Sequence, residues 1–368
     1  MSESDITIGV PRETADGERR VALVPDAVTT LVSRGLKVIV EPGAGAAALI
    51  PDDRYLAAGA AFDRDPWGCD IVLKVAPPTL EEVARLREGT VLIGFLTPWA
   101  APDLHAALDE RRVSAFAMES IPRISRAQAM DALSSQSTIA GYKAVIVAAE
   151  HATRLLPMLT TAAGTVPPAR ALVLGAGVAG LQALATARRL GARTTGYDVR
   201  PEAAEQVRSV GADWLDLGIE AAGEGGYARE LTATERDAQQ QALTEAIKTF
   251  DIVITTALVP GRPAPQLVSA EAVVGMRPGS VIVDLAGETG GNCELSEPGR
   301  VTTAHAVTIA APLNLAASAP EHASQLYARN LRALLELMLP EDDDGHRIDL
   351  SDEILVAARV TSAESVVA

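Results

Sequence analysis

Leu172-Val-Leu-Gly175-Ala-Gly177-Val178-Ala179-Gly180 decides the reading of this chain, because a short apolar run enters a G-x-G-x-x-G turn and Tyr197-Asp198 follows eighteen residues after the last glycine. Such a pattern alone carries little weight among 29 glycines, so the flanks must support it. Ala171 to Leu174 reads as a buried strand, and Ala179 to Leu190 carries helix formers at the helical period. Strand, turn and helix therefore stand in the order that a dinucleotide fingerprint requires. Gly175 suits the tight turn, Gly177 the approach of backbone to a pyrophosphate, and Gly180 close packing of helix on strand. A diphosphate would rest on the N–H groups at the positive end of that helix, which brings Val178 and Ala179 into the site. Arg193 to Asp198 reads as the next strand, and its terminal carboxylate is placed to accept hydrogen bonds from the adenosine ribose. A carboxylate there repels a 2′-phosphate, so the expected cofactor is NAD(H). Arg200, beyond Val199, leaves NADP(H) open. The competing reading is a doubly wound domain whose glycines serve packing alone.

At 368 residues the chain exceeds what one hydrophobic core usually serves, so two domains are expected. Aromatic residues make up only 3%, which leaves the core to Ala, Val and other aliphatics. A formal net charge of −16 disfavours nucleic acid and unaided binding to anionic lipid. Met1-Ser-Glu-Ser-Asp-Ile has neither a basic nor an apolar signal region, and no apolar run reaches the length of about 18 residues that a spanning helix requires. Cys69 and Cys293 show no metal-ligand spacing and no disulfide framework, which fits a reducing cytoplasm.

The pattern alternates from the start. Ile6–Val10, Lys37–Glu41, Ile71–Val75, Val91–Phe95 and Val113–Ala117 read as strands. Between them, Ala27–Ser33 (with Asp26 as N-cap), Asp52–Ala58, the segment from the Thr79-Leu-Glu-Glu82 capping box to Leu86, and Pro102–Glu110 read as helices. Such alternation implies a parallel sheet covered on both faces. Periodicity lapses between Met118 and Ser135 and resumes as a helix over Ile139–Arg154, which reads as the crossing between domains. Strands follow at Ile252–Thr255, Val281–Asp284 and Val307–Ala310, then a helix over Ala323–Leu339 that packs back on the first domain. Glu341–Asp344 reads as a solvated turn before a last helix, Asp352–Arg359. The expected domains are 1–135 plus 321–368, and 136–320. A glycine-rich insertion near 218–231 reads either as a lid over bound nucleotide or as an inert surface loop.

None of the five histidines sits in a recognisable catalytic setting, and no Ser/His/Asp, Cys/His or metal signature is present. A dehydrogenase acting on an alcohol or amine moves a proton as well as a hydride and usually carries a general base. Hydride passing from one nicotinamide to another needs none, because the cofactors carry the chemistry and the protein orients them.

Several motifs together resemble one family. They are Gly9-Val-Pro-Arg12-Glu, Glu18-Arg-Arg-Val-Ala-Leu-Val-Pro25, Arg123-Ile-Ser-Arg-Ala-Gln128-Ala-Met-Asp131, Ser134-Ser-Gln136-Ser-Thr-Ile-Ala-Gly141-Tyr-Lys143, Ile254-Thr255-Thr-Ala257-Leu258-Val-Pro-Gly261, Val283-Asp-Leu-Ala-Gly-Glu288 and Leu326-Tyr-Ala-Arg-Asn330. The combination resembles the soluble NAD(H)-binding alpha component of proton-translocating NAD(P) transhydrogenases, a family related to alanine dehydrogenase. The resemblance implies an α/β subunit of two Rossmann-like doubly wound parallel-sheet domains with a cleft between them. It further implies a homodimer that binds NAD(H) and docks on an NADP(H)-binding beta subunit held by membrane-spanning subunits. Localisation would be cytoplasmic, peripheral on the inner face of the membrane through those partners. Carried over residue by residue, it makes Gln128 the side chain reaching the nicotinamide, with Arg123 and Asp131 organising the loop and Ser134 beside it. Thr255, Ala257 and Leu258 fall in the cofactor site, and Tyr227 matches the tyrosine of a closing loop. The plain alternative for Arg123 and Asp131 is a surface ion pair. Many members continue into membrane helices, whereas this sequence stops at Ala368, so it corresponds to one subunit of a split enzyme or to a shortened form.

The runner-up resemblance is alanine dehydrogenase itself, whose substrate-site residues find matches in Arg20 and Lys74. Its catalytic histidine would stand where this chain has Thr97, and its aspartate is replaced by Gly287-Glu288-Thr289. A non-catalytic NAD(H)-sensing module is the third reading. It has no need of the Arg123, Gln128 and Asp131 surface.

Overall fold

The computed structural model describes residues 6–218, 232–258, 261–342 and 345–362. Two compact units divide the chain: residues up to Gln136 with those from Ala316 onward, and Ser137–Leu315.

In the first unit the chain runs β1 (Thr7–Val10), α1 (Pro25–Ser33), β2 (Lys37–Val40), α2 (Asp52–Ala57), β3 (Ala61–Phe62), β4 (Ile71–Leu73), α3 (Leu80–Arg85), β5 (Val91–Gly94), α4 (Pro102–Glu110) and β6 (Ser114–Ala117). The strands pair in parallel in the order β3-β2-β1-β4-β5-β6, the doubly wound order that reverses direction between β1 and β4. Thr79 closes the expected capping box at α3: its hydroxyl accepts from Glu82 N at 3.2 Å, and the Glu82 carboxylate accepts from Thr79 N at 2.9 Å. At α1 the expected N-cap is displaced by two residues. Val24 is the N-cap, Pro25 opens the helix, and Asp26 lies in the first turn, where proline's fixed φ suits entry and the carboxylate meets the helix dipole.

The long helix α5 (Ala132–His151) starts well before Ile139, directly after a 3₁₀ turn over Ser125–Met130. Asp131 causes the early start by accepting Ser134 N at 2.8 Å, a cap that hydrophobic periodicity does not reveal.

The second unit continues with β7 (Leu159–Thr161), β8 (Gly164–Val166), β9 (Arg170–Leu174), α6 (Val178–Arg189), β10 (Arg193–Tyr197), α7 (Ala203–Ser209), β11 (Asp213–Trp214), α8 (Ala233–Ile247), β12 (Ile252–Thr255), α9 (Ala270–Gly275), β13 (Val281–Asp284), β14 (Val301–Ala304) and β15 (Val307–Ala310). Its seven strands follow the order β11-β10-β9-β12-β13-β15-β14, again doubly wound, with the switch between β9 and β12. Only β14 is antiparallel within this sheet, joined to β15 by His305 and Ala306, both at positive φ (52° and 61°). A two-residue turn of that kind usually announces itself as Asn-Gly, and here it does not. The β7–β8 hairpin stands apart as a separate two-stranded sheet whose six strand residues are all exposed.

The chain then returns to the first unit through α10 (Pro320–Met338), the pair β16 (Glu341–Asp342) and β17 (Gly345–His346), and α11 (Glu353–Ala358). Tyr327, Leu331, Leu334, Leu335 and Met338 of α10 fall at helical spacing and are fully buried with Ile8, Val10, Leu31 and Val38. The acidic stretch from Glu341 is therefore in part a strand pairing and not simply a turn. After α11, Arg359 bridges to Phe116 and Val360 N donates to Ala115 O at 2.9 Å, so the tail extends the β6 edge.

Candidate functional site: a dinucleotide turn and a separate side-chain cluster

In the second unit, the carboxyl ends of β9 and β12 meet at the switch point of the sheet, where doubly wound folds bind ligands. Gly175 leaves β9 at φ +100°, a conformation that a Cβ would strain, and its N–H donates to Tyr197 O at 2.8 Å. A Cβ on Gly180 would run into the Gly175 carbonyl oxygen, so the helix can lie against the turn only with glycine there. Gly177 is the N-cap of α6, without a side-chain cap, and open space lies before it. Val178 is exposed and Ala179 half-buried. The first-turn N–H groups of a helix have no intrahelical acceptor, which makes this end a natural anion seat. Gly141, on α5, is what lets that helix approach α6: a Cβ there would strike the Ala179 carbonyl.

Asp198 follows β10 with its side chain 8% exposed. Its Oδ2 accepts Ala176 N at 2.8 Å and Arg200 Nη2 at 3.0 Å, while Oδ1 accepts Arg200 N at 2.9 Å and Nε at 3.0 Å. Burial pushes its pKa up, but the Arg200 guanidinium, the Arg200 and Ala176 N–H groups and the arginine charge together hold it below the usual carboxylate value. Asp198 is thus an ionised acceptor stationed beside the glycine turn, with Arg200 on it. Val199 packs partly on the neighbouring core.

Thr255 closes β12 and is buried, and its hydroxyl is turned inward, donating to Asp284 Oδ1 at 2.9 Å. Asp284 also accepts from Ala286 N, Asn292 N, Cys293 N and the Ser296 hydroxyl. Asn292 in turn clasps Ala257, accepting its N–H at 3.1 Å and donating to its carbonyl at 2.9 Å. Ala257 and the 55%-exposed Leu258 are therefore held beside the turn by a network that motif reading does not reach. An aspartate ending a wholly apolar strand was the available signal. Tyr227 lies outside the described residues.

The second cluster belongs to the first unit. Arg123 and Gln128 are exposed, and Asp131 and Ser134 are half-buried. Asp131 accepts the Ser134 N–H and, at 2.6 Å, its hydroxyl, and among the described residues no ion pair joins Asp131 to Arg123. Deeper in the same unit lies a set of buried charges. Arg20 makes a fork with Glu18 (Nε–Oε1 2.8 Å, Nη2–Oε2 2.6 Å) and donates to Gln136 at 2.9 Å. Lys74, 1% exposed, pairs with Glu13 at 3.1 Å and Glu82 at 3.5 Å. Burial raises the Glu13 pKa even against the Lys74 charge. Glu119 accepts Leu96 N at 2.8 Å and Thr97 N at 2.6 Å, and its pKa too is raised by burial.

Two family models match the chain, "Alanine dehydrogenase/PNT, N-terminal domain" over residues 9–140 and its C-terminal counterpart over residues 144–368. The chain belongs to the alanine dehydrogenase/PNT family. Within that family it is 45% identical, over 98% of its length and 97% of the relative, to an NAD(P) transhydrogenase alpha subunit of Rhodospirillum rubrum. The crystal structure of a transhydrogenase from Sinorhizobium meliloti matches at 44% identity with a TM-score of 0.87, covering 97% of this chain and 99% of that one. Alanine dehydrogenase of Bacillus subtilis is 32% identical over 78% of this chain and 72% of its own length.

At the position where an alanine dehydrogenase is expected to carry its catalytic histidine, Thr97 sits at φ 47°, an unusual conformation for a β-branched residue, with its N–H on Glu119. It offers no imidazole. His105, the histidine associated with this corner, lies 3.2 Å from the Leu96 carbonyl through Nε2. Arg20 and Lys74 are each paired with carboxylates of the chain itself.

Proposed function

We propose that this chain is the NAD(H)-binding component of a proton-translocating transhydrogenase. NAD(H) lies on the Gly175–Gly180 turn with its adenosine ribose toward Asp198, and Gln128 orients the nicotinamide toward NADP(H) carried by a partner. Hydride passes directly between the two rings, so no group of this chain has to take or give a proton at the reacting carbon. The partners are a second copy of this chain, an NADP(H)-binding subunit, and membrane-spanning subunits that couple the transfer to proton translocation and hold the assembly at the inner face of the membrane. The two units of the chain act as two domains, and Tyr227, which lies outside the described residues, belongs to the nucleotide site. Among the described residues no helix is long and apolar enough to cross a membrane.

The observation that carries this reading is the glycine turn opening onto the uncapped start of α6 beside an ionised Asp198. Thr97 in place of an imidazole, and Arg20 and Lys74 already paired, favour it over amino-acid oxidation.

Mixing the chain with a soluble NADP(H)-binding transhydrogenase component and following NADPH-dependent reduction of an NAD⁺ analogue by absorbance is the test. Transfer requiring both proteins is expected, and NADH oxidation with pyruvate and ammonia is not. Transfer absent, or amino-acid chemistry present, would overturn the reading. Gln128→Ala is expected to leave NADH affinity nearly unchanged while transfer falls on the order of a hundredfold, as a small misplacement of reacting groups does.

A further inference from the structure

The Ser125–Met130 turn is a six-residue 3₁₀ helix, in which residues three apart eclipse one another. Its three faces therefore read directly from the sequence. Ala127 and Met130 share one face and are 1% and 7% exposed, packed into the core of the first unit. Arg126 and Ala129 share the second, and both are tethered. The Ala129 carbonyl accepts Asn330 Nδ2 at 2.8 Å, and Asn330 Oδ1 accepts the Ser135 hydroxyl at 2.7 Å. The Arg126 guanidinium forks onto Asp352 (2.6 and 3.0 Å) and reaches Glu353 at 2.9 Å. The third face, Ser125 and Gln128, is exposed, and among the described residues no side-chain hydrogen bond or ion pair holds either residue.

We propose that Arg126 and Asp352 are a positioning pair that fixes the rotation of this turn and thereby the direction of Gln128. The inference rests on the reading that Gln128 orients the nicotinamide. Short 3₁₀ turns have poor hydrogen-bond geometry and hold their shape through their surroundings. Core packing fixes how deep the turn sits, and the two tethers on the second face fix how it is rotated. An exposed ion pair contributes little to stability in general, but a bidentate arginine within a network of two carboxylates is the arrangement in which geometry counts. Asp352 is itself held, because it caps α11 by accepting Ile354 N at 2.9 Å, and the residues after α11 are laid along β6. The carboxylate end of the clamp is thus anchored to the sheet.

The test uses the full chain with the NADP(H)-binding component and three variants: Arg126→Gln, Arg126→Lys and Asp352→Asn. Asparagine keeps the N-cap and removes the charge, so it separates the clamp from α11 stability. Arg126→Gln and Asp352→Asn are expected to lower the transfer rate about tenfold, with NADH affinity within about twofold and the thermal midpoint within about 2 °C of the unmodified chain. Arg126→Lys, which keeps the charge without the fork, recovers part of the rate. Amide exchange is expected to quicken in 125–131 alone. Unchanged transfer in Arg126→Gln and Asp352→Asn, with Gln128→Ala impaired, overturns the clamp and leaves the functional reading standing. No transfer by the unmodified chain, or full transfer by Gln128→Ala, overturns the reading and the inference with it.

Discussion

Both units are doubly wound, and they differ in where they leave polar groups open. In the first, Arg20 and Lys74 are buried together with Glu18, Glu13 and Glu82, and the charges answer one another inside the chain. In the second, the start of α6 offers backbone N–H groups with nothing capping them, and the nearest carboxylate is backed by Arg200. A fold that satisfies its own charges has less to offer a charged ligand. One that leaves a helix start open is prepared for an anion, at little desolvation cost because the donors are backbone dipoles.

The largest effect should come from breaking the first arrangement. Lys74→Met leaves Glu13 and Glu82 buried without their cation, and losing one partner of a buried pair costs about 3–5 kcal/mol. Urea unfolding of the variant is the measurement. Glu13→Gln added to it should return a large share of that loss, because burial raises the Glu13 pKa, and the Lys74 charge is the largest of the influences opposing that rise, ahead of the Val75 N–H. If the double variant is no more stable than the single one, the charges are not answering each other.

Gly180→Ala strikes the second arrangement. The added methyl must push the helix off the Gly175 carbonyl, an overpacking that costs about 1–3 kcal/mol. Its effect on NADH affinity should be larger than its effect on stability, because the displaced element is the one that would hold the diphosphate. Calorimetric titration beside thermal unfolding separates the two. An alanine variant that binds NADH as the parent does would mean that the glycine serves packing alone.

Sequence made one of these regions far more legible than the other. The strand, read as Ala171–Leu174 and observed as Arg170–Leu174, the turn and α6 lie on contiguous residues, so local rules suffice. Strands such as Ile252–Thr255 and Val281–Asp284 were bounded correctly because both faces are buried and the apolar run has sharp ends. The first-unit charge cluster gave no such signal, since Arg20, Lys74 and Gln136 are brought together only by the sheet and the helix after it. The same holds for Asp284 and Asn292, whose partners lie across β12. The Asp131 cap and the β14–β15 turn were missed for a different reason. Each works through backbone geometry that apolar periodicity does not encode.

Asp198 tests the comparison where it is finest, because it is a buried carboxylate of the second unit that lies beside the glycine turn and carries Arg200. Its four hydrogen bonds include two from the Arg200 side chain, so a ribose hydroxyl approaching Oδ1 or Oδ2 must share or displace the guanidinium. Asp198→Asn removes the charge that repels a 2′-phosphate and leaves Arg200 to receive it. NADPH affinity is therefore expected to rise on the order of tenfold relative to NADH, a difference of about 1.4 kcal/mol, read by fluorescence titration of both nucleotides. The same residue has a signature in stability. Its folded pKa is lowered, so its contribution is complete above the unfolded carboxylate value, about 3.9, and is lost as pH falls through the lower folded value. The gap in unfolding free energy between the parent and Asp198→Asn should accordingly be constant near neutrality and close only on the acid side of about pH 4. A gap that persists unchanged into strong acid would mean that the hydrogen bonds from Ala176 and Arg200 act on geometry and not on charge, and the ribose assignment would lose its electrostatic basis.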